Sequence, residues 1–397
     1  MTTPFFSIGI PTKGRSFLVG GAIESALRQT FPDLEVIVAD NDDGDATREA
    51  VGRFKDSRVR YCRTGHLSMP DNWDFACAQA RGEYILLFED KQALKFHALE
   101  RIHRELEREK CECAKWLQDF LDDTGSTTFI QQEPREQTPV RLASAEVLTR
   151  FANEPLTGTH KILPIGHLSA FGRALRKRII ASPVGRLCPP VAPDYTVGIL
   201  ALAHTDAILY FPEALAASSR LHSNGSSLAL KTELFKQFTR ELGGRESIYY
   251  DCSPVKAMST HGVIYNDFLR LQRQLPGLLQ AFPINWVNYF TVLYETMVDC
   301  RDSGVEMDAE LAAWRAGLGG QPEEIQKATL AVLEKDKLGR QLHSFFKDVR
   351  RRTGLLKLES NLKMKLRRAT GRQFAGRFKS VLEYVEWEHA QRPGTKN

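Results

Sequence analysis

Two patterns of apolar residues alternate in the N-terminal part of the chain. Short runs rich in Val, Ile, Leu and Phe predict buried strands, and the segments between them repeat apolar residues at intervals of three and four, which predicts helices. Strands that alternate with helices of this kind indicate crossover units and a mostly parallel sheet with helices on its faces. The predicted elements are strands at Phe5 to Ile10, Leu34 to Ala39, Arg58 to Cys62 and Glu83 to Phe88, and helices at Phe17 to Gln29, Ala46 to Phe54 and from Asp71 or Asn72 to Gln79.

The pattern becomes weaker after the first hundred residues and then turns helical. Strands are predicted at Lys161 to Phe171 and Ala207 to Phe211, and a helix at Tyr195 to Ala203. The polar segment Thr124 to Pro139 holds two prolines and is predicted to be a loop. From Ser227 onward the apolar residues recur at three and four. The sequence therefore predicts an α/β fold, with a Rossmann-like mostly parallel sheet and flanking helices, followed by an α-helical C-terminal region.

Composition narrows the class of protein. The chain has 42% hydrophobic and 26% charged residues, which is typical of a folded globular protein, and no run approaches the roughly 18 apolar residues of a membrane span. Residues Met1 to Pro4 lack the basic region of a signal peptide, so a cytoplasmic location is predicted. The seven cysteines are odd in number and scattered, which argues against a disulfide framework.

The net charge of +5 is unevenly distributed along the chain. Residues 350–379 contain eleven lysines and arginines against one acid, Glu359, and apolar residues are interspersed among them. A basic amphipathic helix of this kind suits an anionic membrane surface; the alternative is a solvated helix that packs its leucines on the body of the protein. Nucleic acid is not a predicted partner, because stacking aromatic residues are sparse in this segment and no base-reading motif occurs.

Polar residues follow three of the predicted strands. These segments are Pro11 to Arg15, Asp40 to Asp45, and Glu89-Asp90. Because the carboxyl ends of parallel strands meet along one edge of a sheet, where open α/β sheets bind ligands, these side chains are candidates for a binding site. The alternative, strongest for Asp42 to Gly44, is that Gly, Asp and Asn serve only to make the turns.

Four segments resemble the family 2 inverting glycosyltransferases, which have the GT-A fold and move a sugar from a nucleotide diphosphate to a hydroxyl group. "FSIGIPTKGR" resembles the first strand and nucleotide loop of this family, and "EVIVADNDDGDAT" its second strand and acidic turn. "NWDFACAQARGEYILLFED" resembles the helix and strand that precede the metal motif, and "PDYTVGILALA" is similar to the segment of the catalytic base. The resemblance extends over about residues 5–100 and, more weakly, 160–230.

The resemblance implies roles for individual residues. Pro11, Thr12 and Arg15 would lie beside the nucleotide, and Asp40 would accept a hydrogen bond from the base, usually uracil. Asp90 would lie at the diphosphate and its divalent metal, Mg²⁺ or Mn²⁺. The catalytic base would be Asp194, which would take the proton of the acceptor hydroxyl. An alternative role for Asp194 is the N-cap of the helix that follows it.

The metal motif departs from the usual pattern of the family. Where the family has two carboxylates separated by one residue, this chain has Asp90, Lys91 and Gln92, so the second carboxylate is absent. Three outcomes are open: Asp90 suffices for the metal, Lys91 replaces the metal in part at the diphosphate, or the site is inactive. Gln92 and, from a later polar loop, His222 are further candidate metal ligands.

The predicted organisation combines these observations. Residues 1–230 form the GT-A domain, with a nucleotide-binding half at 1–110 and an acceptor half at 111–230; residues 231–345 form a helical region and 346–397 a basic amphipathic helical tail. The predicted function is an inverting hexosyltransferase that uses a nucleotide sugar, and a glycan or lipid-linked acceptor, in bacterial surface polysaccharide synthesis. The protein would be cytoplasmic, with the tail as an attachment to the inner membrane face. The alternative is a catalytically inactive GT-A module with a binding or scaffold role.

Overall fold

The computed structural model describes residues 3–122, 128–131, 137–220, 233–302, 304–335, 373–376 and 378–392. Its N-terminal part alternates strands and helices as predicted, which confirms the α/β class. The elements up to residue 109 are β1 (Phe6–Thr12), α1 (Ser16–Leu27), β2 (Leu34–Asp40), α2 (Ala46–Gly52), β3 (Val59–Arg63), α3 (Met69–Ala78), β4 (Tyr84–Leu87), β5 (Gln92–Leu94) and α4 (Ala98–Glu109).

The second part of the sheet is mixed. After α4 the chain forms three strands, β6 (Cys113–Asp122), β7 (Thr128–Gln131) and β8 (Val140–Ala143). The elements that follow are α5 (Ser144–Asn153), α6 (Leu156–Thr159), a 3₁₀ turn (Gly166–Leu168), β9 (Ser169–Gly172), α7 (Arg173–Ala181), α8 (Pro193–His204) and β10 (Ala207–Ser219).

Strand order places the candidate residues along one edge. Strands β3, β2, β1 and β4 lie side by side and are all parallel, so their carboxyl ends point the same way. Strand β9 is antiparallel to both β4 and β6, which makes β6 parallel to β4 again, and β10 runs parallel to β6. Every residue of β1 and β2 is buried, because helices pack on both faces of the sheet.

The helical region shares a hydrophobic core with the α/β part. Its elements are α9 (Glu233–Glu241), a 3₁₀ turn (Glu246–Tyr249), α10 (Thr260–Gln274), α11 (Pro276–Leu279), α12 (Trp286–Asp302), α13 (Asp308–Gly319) and α14 (323–335). The Phe151 ring on α5 lies 5.0 Å from the ring of Phe268 on α10, centroid to centroid. Both belong to a cluster that also contains Val197 of α8, so this apolar cluster connects α8 to the helical region.

The end of the chain packs on the α/β domain. β11 (Gln373–Gly376) pairs antiparallel with β7, and α15 (Val381–Ala390) buries Val381, Tyr384 and Val385. The Tyr384 hydroxyl donates to Asp119 Oδ2 at 2.8 Å, and the buried Lys95 Nζ lies 2.8 Å from the same oxygen. Of the predicted basic tail, residues 346–372 lie outside the described residues, whereas the end of the segment forms this strand and helix. Among the described ranges, no helix is both long and apolar enough to cross a membrane.

Some predicted boundaries differ from the structure. The strand predicted at Lys161 to Phe171 is confined to β9, because the chain turns through residues 161–168 before it joins the sheet. β10 runs on to Ser219 rather than ending at Phe211, with shifts of its register against β6 around Tyr210 to Ala216. The loop predicted at Thr124 to Pro139 contains β7, whose short length gives little periodic signal.

Candidate active site

The ends of β1 and β2 bring Thr12 and Asp40 together. The two residues are partners in the parallel register, and the Asn41 N–H donates to the Thr12 carbonyl oxygen at 2.9 Å. Asp40 is fully buried; its Oδ2 accepts from the Tyr61 hydroxyl at 2.8 Å and its Oδ1 from the Asp42 N–H at 3.2 Å. Burial raises the pKa of Asp40, and the Tyr61 hydrogen bond opposes that shift. The structure therefore holds a preorganised carboxylate at this strand end.

Asp90 lies on the other side of Thr12. The Thr12 hydroxyl donates to Asp90 Oδ2 at 2.7 Å, and Arg15 Nε lies 3.1 Å from the same oxygen. The second oxygen, Oδ1, is buried and has no hydrogen-bond partner among the described residues. Burial raises the pKa of Asp90, with the charge of Arg15 opposing the shift. Asp40 and Asp90 thus converge on one threonine at the carboxyl edge, and Asp90 keeps one oxygen for a ligand.

The residues around Asp90 form a tight turn. The Glu89 N–H donates to Gln92 Oε1 at 3.0 Å, and Gln92 Nε2 donates to Gln118 Oε1 at 2.7 Å. Both ends of the buried Gln92 amide are therefore engaged, and its role as a metal ligand stays a prediction. Lys91 Nζ lies 3.5 Å from Glu89 Oε1, so Lys91 neutralises part of the acidity of the motif.

Asp194 is in the first turn of α8, directly after Pro193 at the first helical position. Removal from water raises the pKa of Asp194 to about 7, and the negative charge of Glu89 adds to the shift. Backbone N–H groups of the helix start oppose it. Gly166 allows the close approach of this helix end, since a Cβ there would lie 3.3 Å from Asp194 Cα and 3.1 Å from Trp73 Cζ3. A carboxyl group with such a pKa can exchange a proton near neutral pH, and the role of Asp194 as general base stays a prediction.

Two residues to which the sequence assigned no individual role join this site, Glu89 and His167. Burial alone would raise the pKa of Glu89, but the charges of His167, Lys91 and Arg15 together hold it below the usual value. His167 lies in the 3₁₀ turn before β9, and its Nδ1 is buried with no partner in the described part of the chain. Glu89 could have been found as the first carboxylate after the apolar run of β4; His167 had no sequence signal.

A buried ion pair of the helical region holds the segment before α8. Asp267 Oδ2 accepts from the N–H groups of Val191 and Ala192, both at 2.8 Å. Arg270 bonds the other oxygen of Asp267 and also donates to the Pro190 carbonyl at 3.1 Å. We call Asp267 and Arg270 the α10 clamp. It fixes the backbone two to four residues before Asp194.

A cavity of about 290 Å³ lies on the far side of this segment. Its lining includes Pro190 and Thr196 from the start of α8 and the two residues of the α10 clamp. Neither Asp40 nor Asp90 lines it, so it is separate from the carboxylates at the sheet edge.

The remaining predicted residues can be placed as follows. Pro11 is buried inside β1, next to Thr12, and Trp73 packs in the core under Gly166. His222 lies outside the described residues. Within the described ranges, no group of three or more His, Cys, Asp and Glu side chains is arranged to hold a metal ion.

Fold and site together define an α/β protein with acidic side chains at the carboxyl edge of its parallel strands. Residues 7–179 match the family model described as Glycosyl transferase family 2. The match covers the parallel strands β1 to β4 and the strand ends that hold Asp40 and Asp90, and it extends over less than half of the chain. Asp194 and the α10 clamp lie beyond the matched residues.

The chain is also similar to individual proteins. It is 32% identical over 100 residues to GalNAc(5)-diNAcBac-PP-undecaprenol beta-1,3-glucosyltransferase of Campylobacter jejuni, a match of 24% of this chain. The chain spans about a third, 32%, of the length of that curated relative. Similar solved structures include S. aureus TarS 1-349 in complex with UDP-GlcNAc, with 13% identity, a TM-score of 0.48 and coverage of 84% of this chain and 92% of that one. Another is the mannosyltransferase PcManGT of Pyrobaculum calidifontis with GDP-Man and Mn²⁺, with 15% identity, a TM-score of 0.41 and coverage of 83% and 84%.

Proposed function

We propose that this protein is an inverting glycosyltransferase that moves a sugar from a nucleotide diphosphate, with UDP as the nucleotide, to an acceptor hydroxyl. The observation that supports this most directly is the pairing of Asp194, whose pKa is raised to about 7, with the ionised Glu89 near the strand ends. Two carboxyl groups with pKa values pushed apart are typical of a site that moves protons. A single displacement needs one such base on the acceptor side.

The strand ends supply the donor side of the proposed reaction. Asp40 would accept a hydrogen bond from the uracil base, and Thr12 and Arg15 would flank the nucleotide. The unpartnered Oδ1 of Asp90 fits a divalent cation, because Mg²⁺ at nucleotide phosphates often takes one or two carboxylates and completes its shell with phosphate oxygens and water. Such an ion would neutralise charge on the leaving diphosphate. Lys91 would add a positive charge on the same side.

Calorimetry with the full chain tests the donor site. UDP should bind, and more tightly with Mn²⁺ than without it. Asp40→Asn should weaken UDP binding, whereas Asp206→Asn, an exposed control on the turn before β10, should not. If UDP does not bind under either condition, the proposed function is wrong.

A second candidate is a non-catalytic module that binds nucleotide sugars. The observation that favours it is the contact of Lys91 with Glu89, which neutralises one acid of the motif. Hydrolysis of a panel of UDP-sugars distinguishes the two functions, since an active transferase releases UDP slowly without acceptor. Binding without turnover of any donor supports the second candidate.

We further propose a lipid-linked acceptor and a cytoplasmic enzyme at the inner membrane face, in glycan synthesis. The name of the Campylobacter relative includes a diphosphate-linked polyprenol, and residues 350–379 are strongly basic. Replacing Lys363, Lys365, Arg367 and Arg368 by Gln should reduce cosedimentation with vesicles that contain anionic phospholipid. Equal cosedimentation of the variant and the wild type would exclude this surface attachment.

A further inference from the structure

Two lysines of the α/β domain are almost fully buried, and they differ in their partners. Lys95 and Lys115 are each 1% exposed. Lys95 has two carboxylates, with Asp119 at 2.8 Å and Glu388 at 3.5 Å. Lys115 has no carboxylate at ion-pair distance among the residues that the structure describes. Burial without an acidic partner lowers the pKa of Lys115 to about 7. Burying such a lysine in a core costs free energy, so we expect it to have a function.

The position of Lys115 in the sheet relates it to the site. It lies on β6, opposite Ser169 of β9 and beside Tyr210 of β10. Ala114, one residue earlier, is opposite Ala170, which is itself opposite Leu86 of β4. Lys115 therefore lies one residue beyond the level of Leu86, toward the edge that Glu89 occupies. A lysine side chain is long enough to reach that edge from two residues below it.

The groups around Lys115 lie near the same strand edge. Its charge lowers the pKa of His167 and of His160, and a third neighbour is the buried, neutral thiol of Cys113 on its own strand. His167 interacts in turn with Glu89, and the His160 ring lies 6.3 Å from that of Tyr195, the residue after Asp194. Lys115 is thus linked through His167 to Glu89 and through His160 to the residue that follows Asp194.

We propose that Lys115 recognises a carboxylate of the sugar bound at this carboxyl edge of the strands, so that the enzyme acts on an acidic sugar such as a hexuronate. This rests on the proposed function. A sugar carboxylate supplies the missing partner, and one ammonium matches its single charge, whereas a phosphate would bring nearly two. The carboxylate belongs to the donor sugar or to the acceptor, and these sources can be tested separately.

The experiment compares neutral and acidic sugars on the full chain. In the donor arm, calorimetry measures UDP, UDP-glucose and UDP-glucuronate; in the acceptor arm, it measures methyl glucoside and methyl glucuronide with UDP present. In one arm the affinity for the acidic ligand should be at least about tenfold higher than the affinity for its neutral counterpart, as expected of a charge-assisted hydrogen bond. Lys115→Met should remove this preference and leave UDP binding unchanged.

Control variants separate recognition from folding. Lys177→Met makes the same change at an exposed site on α7 and should keep the preference. Lys115→Gln keeps a hydrogen-bond donor without the charge and should lose the preference for the acidic ligand. The melting temperature of each variant reports whether it is folded. No preference in either arm, or a preference that survives in both Lys115 variants, overturns the proposal. Failure of UDP itself to bind contradicts the proposed function instead.

Discussion

At the scale of single residues, Asp194 and Glu89 show how neighbouring acids acquire different properties. Both are partly buried, which by itself raises a carboxyl pKa. Glu89 is surrounded by His167, Lys91 and Arg15 and keeps its charge, whereas Asp194 has mainly the negative Glu89 near it. The positive side chains therefore leave Asp194 as the acid that changes protonation near neutral pH.

Replacing Asp194 by Asn should lower kcat by about 100- to 10,000-fold, because an amide cannot accept the acceptor proton in the transition state. UDP affinity should be unchanged, since the proposed role of Asp194 is on the acceptor side. Steady-state kinetics of sugar transfer or donor hydrolysis measure kcat, and calorimetry measures the affinity for UDP. A variant that retains full turnover would exclude Asp194 as the base.

The pH dependence of kcat/KM should follow the protonation of Asp194. The base works only as a carboxylate, so activity should rise with pH and level off above about 7. Glu89→Gln removes a negative charge that raises the pKa of Asp194, so the rising limb should move to lower pH, whatever the loss in rate. A limb that moves to higher pH, or does not move, would contradict this coupling.

Some of these residues could be predicted from the sequence and others could not. Asp40, Asp90 and Asp194 directly follow apolar runs or begin a helix, and the resemblance assigned them roles. Glu89 was indicated only as part of the polar strand end Glu89-Asp90, and His167 and Lys115 were not indicated, because their importance depends on strand register and on what surrounds them. From the sequence alone, a lysine within a strand is expected to have an exposed side chain.

At the scale of elements, the start of α8 determines where Asp194 lies. Pro193 favours the helix start, and Gly198 lets the helix lie against the backbone of Pro164, because a Cβ there would be 2.2 Å from the Pro164 oxygen. The α10 clamp then fixes the preceding segment. Pro193, Gly198 and the α10 clamp therefore together determine the position of the first turn of α8.

Asp267→Asn should destabilise the protein by about 3 kcal/mol, since the N–H groups of Val191 and Ala192 lose their charged acceptor in the interior and Arg270 is left with the more exposed Asp251. It should also lower kcat by about 10- to 100-fold through misplacement of Asp194, with UDP affinity unchanged. Urea denaturation and steady-state kinetics measure the two effects.

The control for this prediction is Asp251→Asn. Asp251 contacts the same Arg270 at 2.8 Å, but its side chain is 46% exposed. Solvent screening should hold its effect on stability below about 1 kcal/mol. Equal effects of the two substitutions would argue against a special role of the α10 clamp.

The elements themselves were predicted where the pattern was periodic. The first four strands and three helices occur as expected, because apolar runs and helical spacing alternate cleanly there. β7 and the true extent of β10 were missed: β7 is four residues long, and β10 contains Pro212 and Glu213 within an apolar run. Their strand structure depends on pairing with β6, which local sequence does not encode.

At the scale of the whole molecule, the C-terminal helix completes the α/β domain. α15 buries three large side chains and supplies two polar groups to Lys95 and Asp119, which would otherwise form an exposed pair. The basic segment before α15 did not predict this contact, because Tyr384 and Asp119 are more than 250 residues apart in sequence.

Deleting residues 378–397 should reduce the free energy of unfolding by about 5 kcal/mol, given roughly 1.5–3 kcal/mol for each of Val381, Tyr384 and Val385. Deleting only 393–397 leaves α15 intact and should change it little. Denaturant unfolding of both chains tests this; equal stability would mean that α15 adds nothing to the domain.

The α10 clamp also bears on how the protein can be divided. A fragment that ends near residue 230 contains every carboxylate assigned to the reaction, yet it lacks both side chains that tether residues 190–192. Expressed alone, it should still recognise the donor while transferring sugar poorly. The helical region would then control the position of the proton acceptor. Exchanging this region between related enzymes should therefore change the turnover rate and leave the nucleotide preference unchanged.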